Sequence, residues 1–158
     1  MRRQTVAALS LSAAALVGIA VHEGYRDEAY IPVRGDRPTI GFGDATGVQM
    51  GQRTDPVRAL IRLNQHVDNF QREMRACLGD VPLFQHEWDA YVSFTYNVGS
   101  AAFCRSTLVR LLKEDPPKYA EACAQLLRWT KFQGRDLPGL VKRRTDEYRL
   151  CMGEAGRA

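Results

Sequence analysis

The chain has 158 residues, 45% of them hydrophobic and 25% charged, a balance that excludes a disordered protein and allows one or two lobes around a true core. Its net charge of +4 and pI near 9.0 favour a polyanionic partner without choosing among nucleic acid, acidic lipid and an anionic wall polymer. Cys77, Cys104, Cys123 and Cys151 have none of the close paired spacings of a zinc site, and His22, His66 and His86 are scattered, so no metal is expected.

Arg2 and Arg3 precede an uncharged run from Gln4 to Val21, the positive start and apolar segment that direct export, and this points to the periplasm. Nine of the sixteen residues from Val6 to Val21 are Ala, Ser or Gly. The run is therefore weakly apolar and just short of the roughly 17 to 25 residues of a spanning helix. It should insert poorly and leave easily. An ordinary cleaved signal peptide and a buried core helix are the alternatives. Cleavage after Ala15 or Ala20 would leave Glu23 within a few residues of a free N-terminus, so retention is favoured. A retained segment that leaves the bilayer can become the first part of a helix carrying Glu23.

Five glycines between Gly35 and Gly51, around Thr39-Ile40-Gly41-Phe42-Gly43, predict short strands and tight turns in a small β lobe. Asp55-Pro56 is a good helix start. Val57, Leu60, Ile61, Val67, Phe70 and Met74 then recur at helical spacing as far as Leu78-Gly79. Further helices are predicted over Glu87 to Val98, Ser106 to Lys113, Lys118 to Trp129 and Pro138 to Met152. The helix from Pro56 to Leu78 would connect the front lobe to a helical rear lobe, with a polymer cleft expected between them.

Glycosidic cleavage needs a carboxylic acid beside the leaving oxygen and a second polar group to direct water or attack the sugar. Glu23 closes an apolar helix, where desolvation would raise its pKa as a general acid requires, and Asp36 and Thr39 follow within twenty residues. On these residues alone a solvated glutamate at a helix end is the commoner reading. Lys142-Arg143-Arg144 reads as a solvated helix face, or as a contact for anionic peptidoglycan.

Glu23-Gly24-Tyr25-Arg26, Ala29-Tyr30 and Pro38-Thr39-Ile40-Gly41-Phe42-Gly43 resemble the signature of the phage-type lysozymes, glycoside hydrolase family 24. In the same order follow Ala90 to Gly99, Ala102-Phe103, Ser106-Thr107-Leu108, Arg128-Trp129 and Leu137 to Arg144, so the resemblance spans Glu23 to Met152. It implies an α+β, mostly helical, lysozyme-like two-lobed fold. The expected parts are a small β-hairpin lobe over about 23–54, a connecting helix over about 56–78 and a helical lobe over about 80–152.

The implied activity is inverting hydrolysis of the bond between N-acetylmuramic acid and N-acetylglucosamine in peptidoglycan, without a cofactor. Glu23 matches the family's acid and Thr39 its threonine. The family's aspartate falls where this chain has Pro32, and the stretch to Thr39 is one residue longer, so Asp36 is the nearest carboxylate for the water-directing role. Asp36 could equally shape the turn beside Gly35. Tyr96 and Asn97 resemble residues that meet N-acetyl sugars, with packing an equal account of Tyr96.

Export makes two disulfides the expectation, and Cys104 with Cys123 and Cys77 with Cys151 is the favoured pairing of the three possible, with free buried thiols as the alternative. A weak N-terminal segment together with periplasmic cysteines resembles the signal-arrest-release endolysins, with residues 1–22 as the segment and 23–158 as the catalytic domain. The expected partners are peptidoglycan and, before release, the inner membrane. No nucleic acid is expected, and the chain should be a monomer. A lytic transglycosylase and a non-catalytic exported wall-binding module are the rival readings.

Overall fold

A computed structural model describes residues 2–154, in which seven α-helices and three two-stranded antiparallel sheets are distributed over two compact units. One unit is Leu16–Asn69; the other combines the chain up to Ala15 with everything from Phe70 onward.

The first unit holds most of helix α1 (Ala13–Glu23), strands β2 (Arg26–Tyr30) and β3 (Thr39–Gly41), and the first part of helix α2 (Pro56–Leu78). Strand β1 (Gln4–Thr5) belongs to the second unit. Helix α2 starts where the Asp55 carboxylate accepts the Arg58 N–H at 2.9 Å and Pro56 supplies the first helical residue. It stops at Gly79, at φ +67°. In this unit its buried face is Ala59, Leu63 and Val67, each four residues from the next. Val57 and Ile61, counted in the apolar periodicity of the sequence, are 68% and 54% exposed, because a stripe centred on Leu63 turns them away. The hairpin pairs Tyr30 with Thr39 and Arg26 with Gly41 across an irregularity that makes one strand longer than the other. Gly41, at φ +63°, has no room for a side chain, since a β-carbon would lie 2.8 Å from that of Ala59.

The second unit is built on helix α3 (Gln85–Val98), whose Trp88, Ala90, Tyr91, Val92 and Phe94 are all fully buried. Strand β4 (Pro82–Leu83) pairs with β1. Around α3 lie α4 (Ser100–Cys104), α5 (Thr107–Leu112), α6 (Tyr119–Gln125) and α7 (Pro138–Cys151). The hairpin β5 (Lys131–Phe132) and β6 (Arg135–Asp136) precedes α7. Phe94 meets Trp129 edge to face at 5.2 Å.

Two sequence expectations are corrected in this unit. The disulfides join Cys77 to Cys104 and Cys123 to Cys151, not Cys104 to Cys123 and Cys77 to Cys151. The short helix α4 begins directly after Gly99 and brings Cys104 to the last turn of α2, while α6 and α7 pack together and bring Cys123 to the end of α7. Each pair has its α-carbons 5.8 Å apart. The basic run is not a solvated face either: Lys142 is exposed, but Arg143 and Arg144 are 6% and 0% exposed. Both guanidiniums lie within 3.2 Å of the Glu147 carboxylate, which also accepts the Ser93 hydroxyl at 2.8 Å. Burial pushes the Glu147 carboxyl above the usual range despite these partners, and lowers Arg144 to about 10. The cost of taking these charges out of water offsets much of their mutual attraction.

Candidate active site

Helix α1 ends at Glu23 because Gly24 follows at φ +70°, and the Gly24 N–H donates to the Ala20 carbonyl at 3.0 Å. Glu23 is thus the last helical residue, and it is half-buried. The turn after β3 lies against it: Gly43 has φ +82°, and a β-carbon there would stand 3.4 Å from Glu23 Oε2. Glycine permits backbone, rather than a side chain, to face the carboxyl. An apolar depression of about 420 Å³, with Val17, Val21, Tyr25, Phe42 and Leu60 in its wall, borders the same helix end. It offers a ligand an apolar surface beside a carboxyl.

Thr39 opens β3 and is buried at 7% exposure, its hydroxyl donating to the Arg37 carbonyl at 3.2 Å. The hairpin that starts three residues after Glu23 therefore returns through Thr39, Gly41 and Gly43 to the acid. Asp36 lies in the exposed turn before β3, where its carboxylate accepts the Arg37 N–H at 2.8 Å. It does turn-shaping work and keeps a second carboxylate oxygen for other partners. Asp27 and Glu28, beyond the end of α1, are exposed on β2 and both pair with Arg53. Tyr96 and Asn97 belong to the other unit, on α3. Tyr96 meets Phe70 edge to face at 5.6 Å, and the Asn97 side-chain oxygen accepts Arg144 at 2.7 Å.

The sequence reading missed Asp44. It is 6% exposed, accepts the Thr46 N–H at 2.9 Å and Arg62 at 2.6 Å, and stands 3.1 Å from the His66 ring. Its backbone closes the turn by reciprocal hydrogen bonds with Ile40 of 2.8 and 3.0 Å. This clamp fixes the loop that carries Gly43. Arg62 and His66, four apart on α2, were the available signal, since that spacing puts both on one helix face. Burial alone would push the Asp44 carboxyl up; the Thr46 N–H, Arg62 and His66 together outweigh it and hold it below the usual carboxylate range. A depressed carboxylate contributes stability above its unfolded value of about 3.9, lost as pH falls through the folded value. Asp44→Asn is therefore expected to cost about 1–2 kcal/mol at pH 7, less than a fully buried pair because Arg62 is half in water. Urea unfolding from pH 7 downward should show the gap to wild type shrinking below about pH 4. A gap independent of pH would remove the ionised clamp.

The phage lysozyme family model matches residues 20–147, which takes in α1's end, the β hairpin, α2 and the helices of the second unit. The chain belongs to the phage lysozyme family. As a phage lysozyme it is a glycosidase of the muramidase type. It is 32% identical over 146 residues to the endolysin of Acyrthosiphon pisum secondary endosymbiont phage 1, covering 90% of this lysozyme and 97% of that protein. It is 33% identical to the SAR-endolysin of Pseudomonas phage phiKMV, covering 89% and 87% of the two chains. The muramidase domain of SpmX from Asticaccaulis excentricus has the same fold, with a TM-score of 0.82, 28% identity, and coverage of 91% of this chain and 98% of that one.

Proposed function

We propose that this lysozyme is an endolysin that hydrolyses the bond between N-acetylmuramic acid and N-acetylglucosamine with inversion, using Glu23 as general acid and Asp36 and Thr39 on the water side. The observation that carries the reading is Glu23 itself, a carboxyl at the end of a helix with the Gly43 backbone against it and an apolar depression beside it. Glu23 protonates the leaving glycosidic oxygen while water attacks the anomeric carbon from the opposite face of the ring. Asp36 accepts the proton of that water and the Thr39 hydroxyl orients it. Tyr96 and Asn97 add contacts to the N-acetyl sugars.

The enzyme acts in the host periplasm, on peptidoglycan, after its N-terminal segment has left the inner membrane. In the folded form no described helix is long and apolar enough to cross a membrane, and α1 spends its eleven residues on presenting Glu23. Exposed Val17 and Val21, at 56% and 75%, are the remainder of an apolar stretch that a bilayer would have covered.

The test is product analysis on purified peptidoglycan. A hydrolase yields fragments that have gained a water, whereas a transglycosylase yields anhydro sugars. Asp36→Asn and Thr39→Ala should each lower the hydrolysis rate by about a hundredfold. Full activity in Asp36→Asn would return that residue to turn-shaping alone.

A further inference from the structure

Exposed cations on either side of the β5–β6 hairpin are neutralised, Lys118 by Glu114 and Lys142 by Asp146. The stretch between them is different. Arg128 donates to the neutral Gln125 side chain at 3.4 Å, and among the described residues no carboxylate is within ion-pair reach of Lys131 or Arg135. Asp136, the acid of the hairpin, stands opposite Lys131 in the ladder but accepts the Thr130 hydroxyl instead. Three exposed positive charges in one short segment are therefore left for an outside partner.

Apolar surface accompanies them. Phe132 is 60% exposed, and Leu127, Trp129, Leu137 and Val141 in the flanking segments are exposed as well. One such residue needs no explanation, but a run of them beside unneutralised charge marks an interaction surface. Phe132 and Arg135 are directly opposite in the ladder, so ring and guanidinium leave the same face of the hairpin. The mount is stiff. Gln133 and Gly134, at φ 49° and 80°, make a turn whose twist matches the strands, and the Thr130 carbonyl accepts the Leu137 N–H at 3.0 Å. Trp129 anchors the near end on buried Phe94. A partner meets backbone that is already ordered, which lowers the entropic cost of binding.

We propose that the β5–β6 hairpin is a second contact for peptidoglycan, with Phe132 against the face of a sugar ring and Arg128, Lys131 and Arg135 on the carboxylates of the peptides that branch from the glycan. The proposal rests on the peptidoglycan-hydrolase reading above and concerns a part of the polymer that the reaction itself does not alter. An exposed ring offers apolar surface to the C–H side of a pyranose, and a guanidinium fork binds a carboxylate through two parallel N–H bonds. The polar Gln133-Gly134 tip favours this polymer over a lipid surface. A hairpin entering a bilayer would lead with apolar residues, whereas Phe132 is set back beside Arg135. The hairpin also gives the net charge of +4 a place, because Lys142, Arg143 and Arg144 are spent on Asp146 and Glu147. A contact away from the cut bond holds the enzyme on the wall between cuts, so its effect falls on affinity.

Binding to purified sacculi is the test, with Glu23→Gln as the common background so that the polymer stays intact. The variants are the double change Lys131→Gln with Arg135→Gln, and Phe132→Ser. All three side chains are exposed, so Tm should stay within about 2 °C of the background. On intact sacculi each variant should bind about tenfold more weakly. On glycan stripped of its peptides by an amidase, the charge variant should match the background while Phe132→Ser keeps its deficit. Raising NaCl from about 50 to about 500 mM should remove most of the difference between the charge variant and the background. Unchanged binding of both variants to intact sacculi would overturn the contact. An equal loss by the charge variant on stripped glycan would overturn the peptide carboxylates as its ligand. Tighter binding to phosphatidylglycerol vesicles than to sacculi, lost in the same variants, would give the surface to a lipid and overturn the proposal too. A wild type that releases no fragments from peptidoglycan would sink the hydrolase reading, while the sacculus data still decide whether the hairpin holds the wall.

Discussion

Glu23→Gln is expected to lower peptidoglycan hydrolysis by two to four orders of magnitude, roughly the contribution of a positioned general acid, while the protein still unfolds cooperatively. The amide has the shape of the carboxyl, so the contact with Gly43 and the end of α1 at Gly24 are both kept. What it lacks is the proton for the leaving oxygen. Because the change is confined to the chemical step, affinity for the glycan should persist, and the loss should fall on kcat rather than KM. Turnover of purified peptidoglycan measured beside circular dichroism checks both halves. Activity within about tenfold of wild type would move the acid elsewhere, since a spectator glutamate costs little to neutralise.

Both ends of α2 were legible because they are written in residues with one mechanical reading: a capping aspartate before proline at the start, and glycine in the left-handed region at the stop. The same reasoning concealed α4. Gly99 reads as a helix end, which it is, but a five-residue helix begins at the next position, and a helix that short has no periodicity to display. That omission hid the approach of Cys104 to Cys77, and the packing of α6 on α7 that joins Cys123 to Cys151 had no local signal either. The β5–β6 hairpin escaped for a related reason. Its two-residue turn is Gln133-Gly134, both at positive φ, where Asn-Gly would have announced it.

The site was legible in part. Glu23 and Thr39 lie in consecutive motifs, so their surroundings in the hairpin could be anticipated from nearby residues. The clamp on Asp44 joins residues about twenty apart, and the hydrogen bonds of Arg3 and Leu11 join residues eighty-four and sixty apart. No local pattern encodes such pairings. The N-terminal residues show the limit most plainly: their composition suggests an apolar segment, and only distant side chains, Arg75 and Glu87 above all, specify the conformation they take in the fold.

Replacing Cys123 and Cys151 together by alanine is expected to lower the unfolding free energy by about 3–4 kcal/mol. The bridge joins residues 28 apart in sequence, and a closed loop of that size removes about that much entropy from the unfolded state. Both cysteines are buried at 1% exposure, so the loss includes some packing between α6 and α7 as well. The charge cluster on α7 does not compensate: Glu147 sits above the usual carboxylate range because burial outweighs its two guanidiniums, so that cluster adds little net stability. For a chain of this size the expected drop in Tm is roughly 10 °C. Thermal and urea unfolding of the oxidised wild type and the double variant measure it, and proteolytic mapping without reduction identifies the linked peptides. A loss under about 1 kcal/mol, or a peptide joining Cys77 to Cys151, would reverse the assignment. The wild type under reductant should fall below the double variant in stability, since opening both bridges removes the Cys77–Cys104 loop too. That dependence ties the stability of the second unit to conditions that keep both bridges oxidised.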